Sequence, residues 1–334
     1  MQRTVFFQQV VGAVTSLMTG IESVVVACSG GPDSVFLAHV IREIFDKNFI
    51  LLYLDHGLRP VEHERRLVQQ LGDAWGIPTI VQRIDVAEFM ATHTCSAETA
   101  GHHLRRESFL KIATQNNISA VLTGHHSDDS IETFLMKWFR GAQSGLLGLQ
   151  AAIQLSEKVT LMRPLLAYRK KDIEDALVEM NIVYCMDPTN ADTAIKRNWI
   201  RHDVLPHFKK MVPDIDQKLE QLLHHLHLQS RWIEDSIAPL MKNLVIGATQ
   251  ASFPLELLQN QSQERVSYLL YRICQQVYAR WEDGYTDVHV EATHIALMTG
   301  CIFQEKGKIN LPLNRFFVIQ KKEVLIYFLN GDKG

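Results

Sequence analysis

The sequence predicts an α/β fold: a parallel sheet with helices on both faces, followed by a smaller, mainly helical domain with a few C-terminal strands. Short β-branched runs alternate with helical patterns from Val24 to about Leu122. Crossovers of that length between strands are typical of parallel sheets. At 334 residues the chain is also long enough for two domains.

Three of the four predicted strands are followed by segments rich in glycine and polar residues. The strands are expected at Val24–Cys28, Ile50–Leu54, Thr79–Val81 and Ala120–Leu122. Apolar residues at helical spacing predict helices at 35–44, Glu62–Trp75 and Glu98–Asn116. Ligands of parallel sheets bind at the carboxyl ends of the strands. The segments expected to carry function are therefore 29–34, 55–59 and 123–132.

The second domain is expected to begin near two prolines, Pro206 and Pro213, which gives predicted domains of 1–212 and 213–334. Asp214 is expected to cap a helix that runs to about Ile237, and the helical pattern continues to about Arg280. Three strands are predicted near the C-terminus, at Lys308–Leu311, Arg315–Gln320 and Val324–Leu329.

The composition excludes several classes of protein. With 46% hydrophobic and 21% charged residues, the chain is not wholly disordered. No apolar run approaches the roughly 20 residues that span a bilayer, and the N-terminus lacks the pattern of a secretory signal, so no membrane association is expected. The five cysteines include no CxxC pair. This favours a reducing, cytoplasmic location and no structural metal.

The segment Ser29-Gly30-Gly31-Pro32-Asp33-Ser34 lies between the first strand and the first helix. Its glycines let the backbone approach an anion, and amides at a helix N-terminus point towards it. No GK[ST] follows, so this is not a Walker A loop. The loop would hold a pyrophosphate through amides and hydroxyls, and Asp33 would recruit Mg²⁺. The alternative is a tight strand-to-helix turn in which Asp33 caps the helix.

A cluster of imidazoles and carboxylates, His125-His126-Ser127-Asp128-Asp129, follows the fourth strand. If a helix begins near Ser127, Asp129 and Glu132 share one face at a spacing of three residues. Such a pair could bind Mg²⁺, receive an ammonium group or accept its proton. The alternative is that Asp128 and Asp129 only stabilise the helix N-terminus through its dipole.

Two basic stretches contrast with the formal net charge of −3. One is His102–Lys111. The other is Lys196–Lys210, where the candidates for contact with nucleic-acid phosphates are Arg197, Arg201, Lys209 and Lys210. Binding through such patches would depend strongly on salt. Each stretch taken alone is also typical of an ordinary solvated helix face.

The loop at 29–34 resembles the signature of the PP-loop ATP pyrophosphatases, which cleave ATP between the α- and β-phosphates. Further segments narrow the resemblance: LDHGLR at 54–59, TGHHSDDSIET at 123–133, RG at 140–141, RPLL at 163–166, DPTN at 187–190 and RNWIR at 197–201. In this order they are similar to the motifs of the tRNA(Ile)-lysidine synthetases. The resemblance covers about residues 22–210.

The resemblance implies an enzyme that uses ATP and Mg²⁺ to join free L-lysine to C2 of the wobble cytidine of tRNA(Ile) with a CAU anticodon. An adenylated cytidine would be the intermediate, and AMP and pyrophosphate would be released. The implied ATP-binding residues are Ser29, Gly30, Gly31, Pro32, Asp33, Ser34 and Asp55. The implied catalytic residues are Asp33, Arg105, His125 and Asp129. Candidates for binding lysine or Mg²⁺ are Asp129 and Glu132.

The chain departs from the family pattern E-x-x-A-R-x-x-R-Y, which aligns with Glu98–Arg106. Gly101-His102 stands where Ala-Arg is expected, and Arg106 stands where an aromatic residue is expected. A histidine is only partly charged near neutrality, so His102 would hold a phosphate less strongly than an arginine. Either His103 or Arg106 compensates, or the role of that arginine is weak in this chain.

Other functions share these features. A PP-loop enzyme with another acceptor, such as a tRNA thiolase or a small-molecule amide synthetase, would have the same nucleotide site. The scattered cysteines disfavour a thiolase, and a small-molecule synthetase would not need an extra basic helical domain. A non-catalytic nucleotide sensor would bind ATP without turnover. The sequence also leaves open whether the chain is a monomer or a homodimer.

Overall fold

The N-terminal part of the chain is organised by a six-stranded sheet. The structure is a computed structural model that describes residues 4–57, 61–93, 96–140, 147–186, 196–281, 290–312 and 315–328. The strands are β1 (Val24–Ala27), β2 (Phe49–Asp55), β3 (Thr79–Arg83), β4 (Ala120–Thr123), β5 (Ala152–Gln154) and β6 (Thr160–Met162). Their order is β3-β2-β1-β4-β6-β5. β5 runs antiparallel to β6, and the other pairs are parallel.

Helices follow most of these strands. They are α1 (Val5–Leu17), α2 (Pro32–Phe45), α3 (Glu62–Trp75), α4 (Val86–His93), α5 (Ala97–Gln115), α6 (Ser127–Phe139) and α7 (Lys170–Glu179). A further helical segment consists of α8 (Lys196–Trp199), a π-helical turn (Ile200–Val204) and α9 (Leu205–Met211). Within the described residues of the whole chain, no helix is both long and apolar enough to cross a bilayer.

Side chains along a strand point alternately to the two faces of the sheet, and both faces are buried in this unit. Val24 and Val26 of β1 belong to one buried cluster, which includes Phe7 of α1 and residues of α2 and α7. Val25 belongs to a second cluster, which includes Phe109 of α5. The two clusters place helices on opposite faces of the sheet, as the sequence predicts.

The direction of the strand order reverses between β1 and β4. From β1 the sheet continues to β2 and β3 on one side, whereas β4 leads to β6 on the other. In sheets of this kind, the ligand-binding crevice lies at the carboxyl ends of the two strands that flank the reversal. The loops after β1 and after β4 therefore meet at that crevice.

The chain divides into two units, Met1–Leu226 and His227–Gly334, and the division falls within helix α10 (Ile215–Met241). The second unit contains an antiparallel sheet of order β7-β8-β11-β10-β9. Its elements after α10 are β7 (Val245–Ile246), β8 (Gln250–Pro254), α11 (Leu255–Gln259), α12 (Gln263–Trp281), α13 (Ala292–Gln304), β9 (Lys308–Leu311), β10 (Arg315–Gln320) and β11 (Glu323–Phe328). Phe253 and Phe317 lie in its core.

The predicted fold class is confirmed, including the four parallel strands and the three C-terminal strands. The prediction of continuous helix to about Arg280 is wrong at 245–254, where β7 and β8 form. β8 buries only Ala251 and Phe253, which is too short an alternation to identify a strand. Its pairing with β11, in which Ala251 lies opposite Ile326, decides the conformation. The predicted domain boundary at 212 stays a prediction.

Candidate active site at the carboxyl ends of β1 and β4

The loop after β1 leads directly into the N-terminus of α2. Gly31 is the N-cap residue, and Pro32 occupies the first turn, where its missing N–H is not needed. The first helical hydrogen bond runs from Val35 N–H to Gly31 O, at 3.0 Å. The N–H groups of Asp33 and Ser34 precede that bond and face the open end of the helix. This arrangement is suited to binding an anion.

Two serine hydroxyls hold the shape of this loop. Ser34 Oγ donates to Gly31 O at 3.0 Å and accepts a hydrogen bond from Ser29 N–H at 3.1 Å. Ser29 Oγ lies 3.2 Å from Ser34 Oγ and accepts from Gly31 N–H at 3.4 Å. Ser34 is buried. Its hydroxyl therefore stabilises the turn from inside, while the backbone amides remain on the outer side.

Close approaches between main chains require glycine at two positions. Gly30 has a φ of 81°, and a Cβ there would lie 3.3 Å from the main chain of Glu64 in α3. At Gly124, directly after β4, a Cβ would lie 2.8 Å from Asp33 C and 2.9 Å from Ser34 N. The loop after β4 thus packs against the main chain at the start of α2. The two loops meet where the strand order predicts.

Asp33 belongs to the first turn of α2, and its side chain lies near the start of α6. Its Oδ2 atom is 3.7 Å from His126 Nε2. Its Oδ1 atom is buried and has no hydrogen-bond partner among the described residues. Burial raises the pKa of Asp33, although the positive charges of His126 and Lys170 partly oppose this. A buried carboxylate oxygen without a partner is unfavourable, so Asp33 is suited to hold a cation.

Helix α6 begins with a reciprocal cap. His126 N–H donates to Asp129 Oδ2 at 3.1 Å, and Asp129 N–H approaches His126 Nδ1 at 3.4 Å. Ser127 N–H donates to Tyr168 O at 2.9 Å. The helix starts at Ser127, as expected, and Asp129 caps it. A role of Asp129 in binding lysine or Mg²⁺ stays a prediction.

The buried imidazole of His126 lies among three carboxylates. Its Nε2 atom is 3.4 Å from Asp129 Oδ2 and 3.7 Å from Asp33 Oδ2, and its Nδ1 atom is 3.5 Å from Asp128 Oδ2. Burial alone would lower the pKa of His126, but the three carboxylates outweigh it and raise the pKa. Lys170 N–H also donates to Asp128 Oδ2, at 2.9 Å. His126 therefore lies against carboxylates of α2 and α6, and one of these, Asp128, connects it to the start of α7.

His125 has the opposite environment. Burial lowers the pKa of His125 to about 3, although the carboxylate of Asp129 opposes this. Nearby guanidinium groups lower it further: those of Arg163, Arg105 and Arg197. Its Nδ1 atom lies 2.9 Å from Thr123 Oγ1 at the end of β4. At neutral pH the ring is therefore uncharged and fixed in orientation.

Glu132 lies one turn after Asp129 and is 1% exposed. Arg197 Nε donates to Oε2 at 2.9 Å, and Arg201 Nε donates to Oε1 at 2.6 Å. The same guanidinium groups lie 3.6 Å and 3.5 Å from Asp129 Oδ1. Burial raises the pKa of Asp129, but His126 and Arg197 outweigh it and lower the pKa. Asp129 and Glu132 thus share a face, as expected, and both oxygens of Glu132 are taken by arginines.

Arg105 of α5 and Arg163 after β6 add positive charge on the other side of His125. Burial lowers the pKa of Arg105, and repulsion from Arg197 lowers it further. Burial also lowers the pKa of Arg163 to about 10. Its Nη1 atom donates to Gln150 O at 2.6 Å, and its buried Nε has no partner among the described residues. Burial and Arg105 together lower the pKa of His56, after β2, to about 4.

Asp55 shapes the turn after β2. Its Oδ1 atom accepts from Gly57 N–H at 2.9 Å, and its main-chain oxygen accepts from Ile84 N–H at 2.8 Å. Asp55 therefore stabilises this turn. A contact between Asp55 and a nucleotide stays a prediction.

The four residues predicted to contact tRNA have different surroundings. Arg197 and Arg201 turn inwards to Glu132. Lys209 and Lys210 are exposed, and Lys209 Nζ lies 2.7 Å from Asp216 Oδ2. Phosphate contact stays a prediction for all four. The geometry favours Lys210, because Arg197, Arg201 and Lys209 already contact carboxylates.

Different surroundings are also found for the residues at or beside the positions where this chain departs from the family pattern. His102 is exposed. The ring of His103 stacks on Phe89 at 4.9 Å, and Arg106 Nη2 donates to Gln154 O at 3.4 Å. Several motif residues lie outside the described part, namely 58–59, 141 and 187–190, as does the side chain of Glu98.

No individual role follows from the sequence for His126, Arg163 or Lys170, although His126 lies within the predicted cluster of imidazoles and carboxylates. His126 stands three residues before Asp129, which is the capping-box spacing, although histidine is an unusual N-cap residue. Arg163 lies within the RPLL segment but carries no local signal for its burial. Among the described residues, no group of three or more His, Cys, Asp or Glu side chains is placed to hold a metal ion by itself.

Comparisons with known proteins agree with this geometry. A family model described as a PP-loop domain matches residues 4–208. The tRNA(Ile)-lysidine synthase of Persephonella marina is 27% identical over 237 residues, which are 70% of this chain and 51% of that protein. The tRNA(Ile)-lysidine synthase of Bacillus licheniformis is 32% identical over 209 residues, 61% of this chain and 44% of that protein. The chain spans about half the length of the curated relatives it matches.

Solved structures show the same fold. The U34-tRNA thiolase NcsA of Methanococcus maripaludis, determined with its 4Fe-4S cluster, matches with a TM-score of 0.55. The two chains are 15% identical, and the match covers 66% of this chain and 79% of that one. At this level of identity the likeness concerns the fold alone.

Replacing Gly124 with alanine is expected to disturb the start of α2. The new Cβ would meet Asp33 C at 2.8 Å and Ser34 N at 2.9 Å, and these main-chain atoms can move only if the loop moves. We expect Gly124→Ala to lower the free energy of unfolding by about 1–3 kcal/mol and to weaken ATP binding, measured by urea denaturation and calorimetry. The control is Gly12→Ala in α1, where a Cβ has nothing within 4 Å and stability should not fall. Wild-type stability and ATP affinity in Gly124→Ala would contradict this account.

Replacing Glu132 with glutamine is expected to leave two arginines without their carboxylate. Breaking a fully buried pair costs about 3–5 kcal/mol, and because Arg197 and Arg201 remain partly exposed we expect Glu132→Gln to cost about 2 kcal/mol by urea denaturation. The matched control is Glu62→Gln in α3, since Glu62 also contacts two arginines, Arg65 and Arg66, but on the surface. Equal effects of the two variants would show that Glu132 has no special structural role.

Proposed function

This chain belongs to the PP-loop family, and on that premise we propose that it joins L-lysine to C2 of the wobble cytidine of a tRNA(Ile) with a CAU anticodon, at the expense of ATP. The cytidine is first adenylated, and lysine then displaces AMP. The products are lysidine in the tRNA, AMP and pyrophosphate. The two lysidine synthases that match the N-terminal part of the chain support this choice of acceptor.

One observation carries the proposal: an anion-binding helix N-terminus and a cluster of carboxylates and imidazoles meet at the same crevice. Asp33 belongs to the first and lies 3.7 Å from His126 of the second. Gly124 lets the two loops pack against each other. A reaction that displaces pyrophosphate and then handles an amine proton needs donors for phosphate oxygens and proton-binding groups side by side.

In the first step, the O2 atom of cytosine attacks the α-phosphorus of ATP, and the bond to the bridging oxygen of the β-phosphate breaks. Negative charge then accumulates on the departing pyrophosphate. Fixed donors stabilise such charge best, because they need no reorganisation. We assign this role to the amides of Asp33 and Ser34, and a supporting positive charge to Arg105.

The residues present fit a single Mg²⁺ ion shared with the nucleotide. Asp33 offers a buried Oδ1 atom that lacks a partner among the described residues. Mg²⁺ is commonly held by one or two carboxylates together with substrate phosphates, so a larger protein cage is not needed. When bound, the ion would supply positive charge to the phosphate oxygens.

In the second step, the ε-amine of lysine attacks C2, the bond from C2 to the transferred oxygen breaks, and AMP leaves with that oxygen. The amine must also lose a proton. From a pKa of about 10.4, forming the neutral amine at pH 7 costs roughly 4–5 kcal/mol. We assign Asp129 to receive the ammonium group, because its carboxylate lies at the crevice and its lowered pKa keeps it ionised.

The cationic surroundings of His125 favour loss of that proton. The guanidinium groups of Arg105, Arg163 and Arg197 hold His125 uncharged, and the same charges would lower the pKa of an ammonium group bound beside it. Burial and the same cations make His125 a weak base, with a pKa of about 3. We therefore propose that the proton leaves to solvent water, while Asp129 holds the amine and the uncharged ring of His125 orients it.

Glu132, Arg197 and Arg201 are assigned as positioning residues. The two arginines bridge Glu132 and Asp129 and so fix the position of the Asp129 carboxylate. Phosphates of the tRNA are assigned to Lys210, whose side chain is exposed.

The function is tested with unmodified tRNA(Ile) carrying a CAU anticodon, ATP, Mg²⁺ and radiolabelled lysine. We expect label in the tRNA, AMP in equal amount, and a lysine-modified cytidine after digestion to nucleosides. The control RNA has a GAU anticodon in the same body and should remain unlabelled. Release of ADP rather than AMP, or AMP formation without label in the RNA, would refute the proposal. ATP binding without any turnover would instead indicate a nucleotide sensor.

Replacing Asp33 with asparagine keeps the shape of the residue and removes its charge. We expect Asp33→Asn to slow tRNA-dependent pyrophosphate release by about 10²-fold or more, while tRNA affinity stays near that of the wild type. Asp46→Asn, at the exposed C-terminal end of the same helix, should leave both quantities unchanged. A parallel loss of tRNA affinity in Asp33→Asn would show that Asp33 supports the fold of the site rather than the first step.

A further inference from the structure

An exposed aromatic cluster lies close to the candidate active site, at the end of α6 and in α8. We call Trp138, Phe139 and Trp199 the aromatic platform. Their exposed fractions are 53%, 48% and 45%. Trp75, in the core of the same unit, is only 8% exposed. The platform therefore leaves large apolar rings in water that the fold does not need there.

The rings of the platform are neighbours in one series, stacked as far as Phe139 and tilted at Trp199. Trp138 lies 6.3 Å from the buried ring of Phe134, with an angle of 16° between the planes. Phe139 lies 5.7 Å from Trp138 at 28°, and Trp199 lies 6.3 Å from Phe139 at 54°. The buried Phe134 holds the first ring in place. The series therefore presents flat faces from a rigid support.

The platform is continuous with the active-site cluster. Phe139 follows Glu132 by seven residues in the same helix, which is about 10 Å along the helix axis. Trp199 follows Arg197 by two residues, and Arg197 bonds to Glu132. Stacked nucleotides rise about 3.4 Å each. The platform is thus about the length of three stacked nucleotides from Glu132.

Positive side chains border the platform. Arg140 directly follows Phe139, and Lys196 precedes Trp199 by three residues; both are exposed. Flat aromatic faces next to cationic groups are how proteins bind unpaired nucleotides, because rings stack on bases while cations contact the backbone. Trp and Arg also anchor protein partners, and contact between two copies of the chain is the alternative that the test separates.

We propose that the aromatic platform stacks on an unpaired base of the RNA loop that carries the reacting cytidine, and that Trp138 and Trp199 provide the main stacking faces. The inference rests on the proposed function, since it takes RNA as the substrate. It adds a contact that explains how a chain of net charge −3 holds a single-stranded loop next to its active site.

The test measures binding of a stem–loop RNA with a CAU loop to the full chain, by fluorescence anisotropy. Trp138→Ala and Trp199→Ala are each expected to raise the Kd roughly ten-fold, the size of effect seen when one stacking partner is lost. The number of phosphate contacts does not change, so the slope of log Kd against log salt should stay as in the wild type.

Two controls separate stacking from general damage. Trp138→Phe keeps a flat ring and should bind within about three-fold of the wild type, because any aromatic face can stack. Val178→Ala removes a 64% exposed apolar side chain of α7 and should not change the Kd. Circular dichroism and melting temperature confirm that each variant is folded.

Several results would overturn the inference. They are alanine variants that bind like the wild type, a Trp138→Phe variant that loses as much as Trp138→Ala, or an equal loss for a fully paired RNA duplex. Sedimentation that shows a wild-type dimer, dissociated by the alanine changes with no loss of RNA binding, would assign the platform to contact between two copies.

The proposed function and the platform fail in different ways. If the wild type transfers lysine and the alanine variants bind and react like it, only the platform is wrong. If the wild type binds the loop through the tryptophans but forms no lysidine, the platform stands and the reaction is wrong.

Discussion

One buried imidazole holds the candidate site together. His126 contacts carboxylates from the start of α2 and from the start of α6, and one of these carboxylates, Asp128, also accepts a hydrogen bond from the start of α7. The carboxylates of Asp33, Asp128 and Asp129 would repel one another at this point without a positive charge between them. They raise the pKa of His126 despite its burial and so favour the charged form that supplies it. The amides at the start of α2 and the carboxylates at the start of α6 are therefore fixed relative to each other by a side chain for which the proposed reaction needs no contact with substrate.

The preceding residue, His125, has the same side chain as His126 but an environment of opposite charge. His126 faces carboxylates, which raise its pKa, whereas His125 faces arginines and its pKa falls to about 3. The crevice thus has an acidic side at Asp33 and Asp129 and a cationic side at Arg105 and Arg163. Such a separation suits a reaction in which phosphate and ammonium bind in turn at one place, because each finds charges of the opposite sign.

The sequence predicted the parts of this site that depend on local patterns. The turn after β1, the start of α6 at Ser127 and the shared face of Asp129 and Glu132 all follow from spacing. It did not predict that Arg197 and Arg201 turn inwards, because that depends on how the segment from α8 to α9 packs against α6. Nor did it single out His126, because a histidine cap has no pattern of its own. Long-range packing, which no local window contains, decides both.

The inward orientation of Arg197 and Arg201 affects the proposed binding of RNA. A basic stretch normally indicates phosphate contacts, and affinity from such contacts scales with the number of free cations. Here two of the four candidate cations neutralise Glu132 and Asp129, so fewer remain for the backbone of an RNA. Stacking depends little on net charge, since it draws on the flat faces of bases and rings. The proposed stacking on Trp138 and Trp199 would therefore supply affinity for RNA that the two arginines do not supply while they contact Glu132.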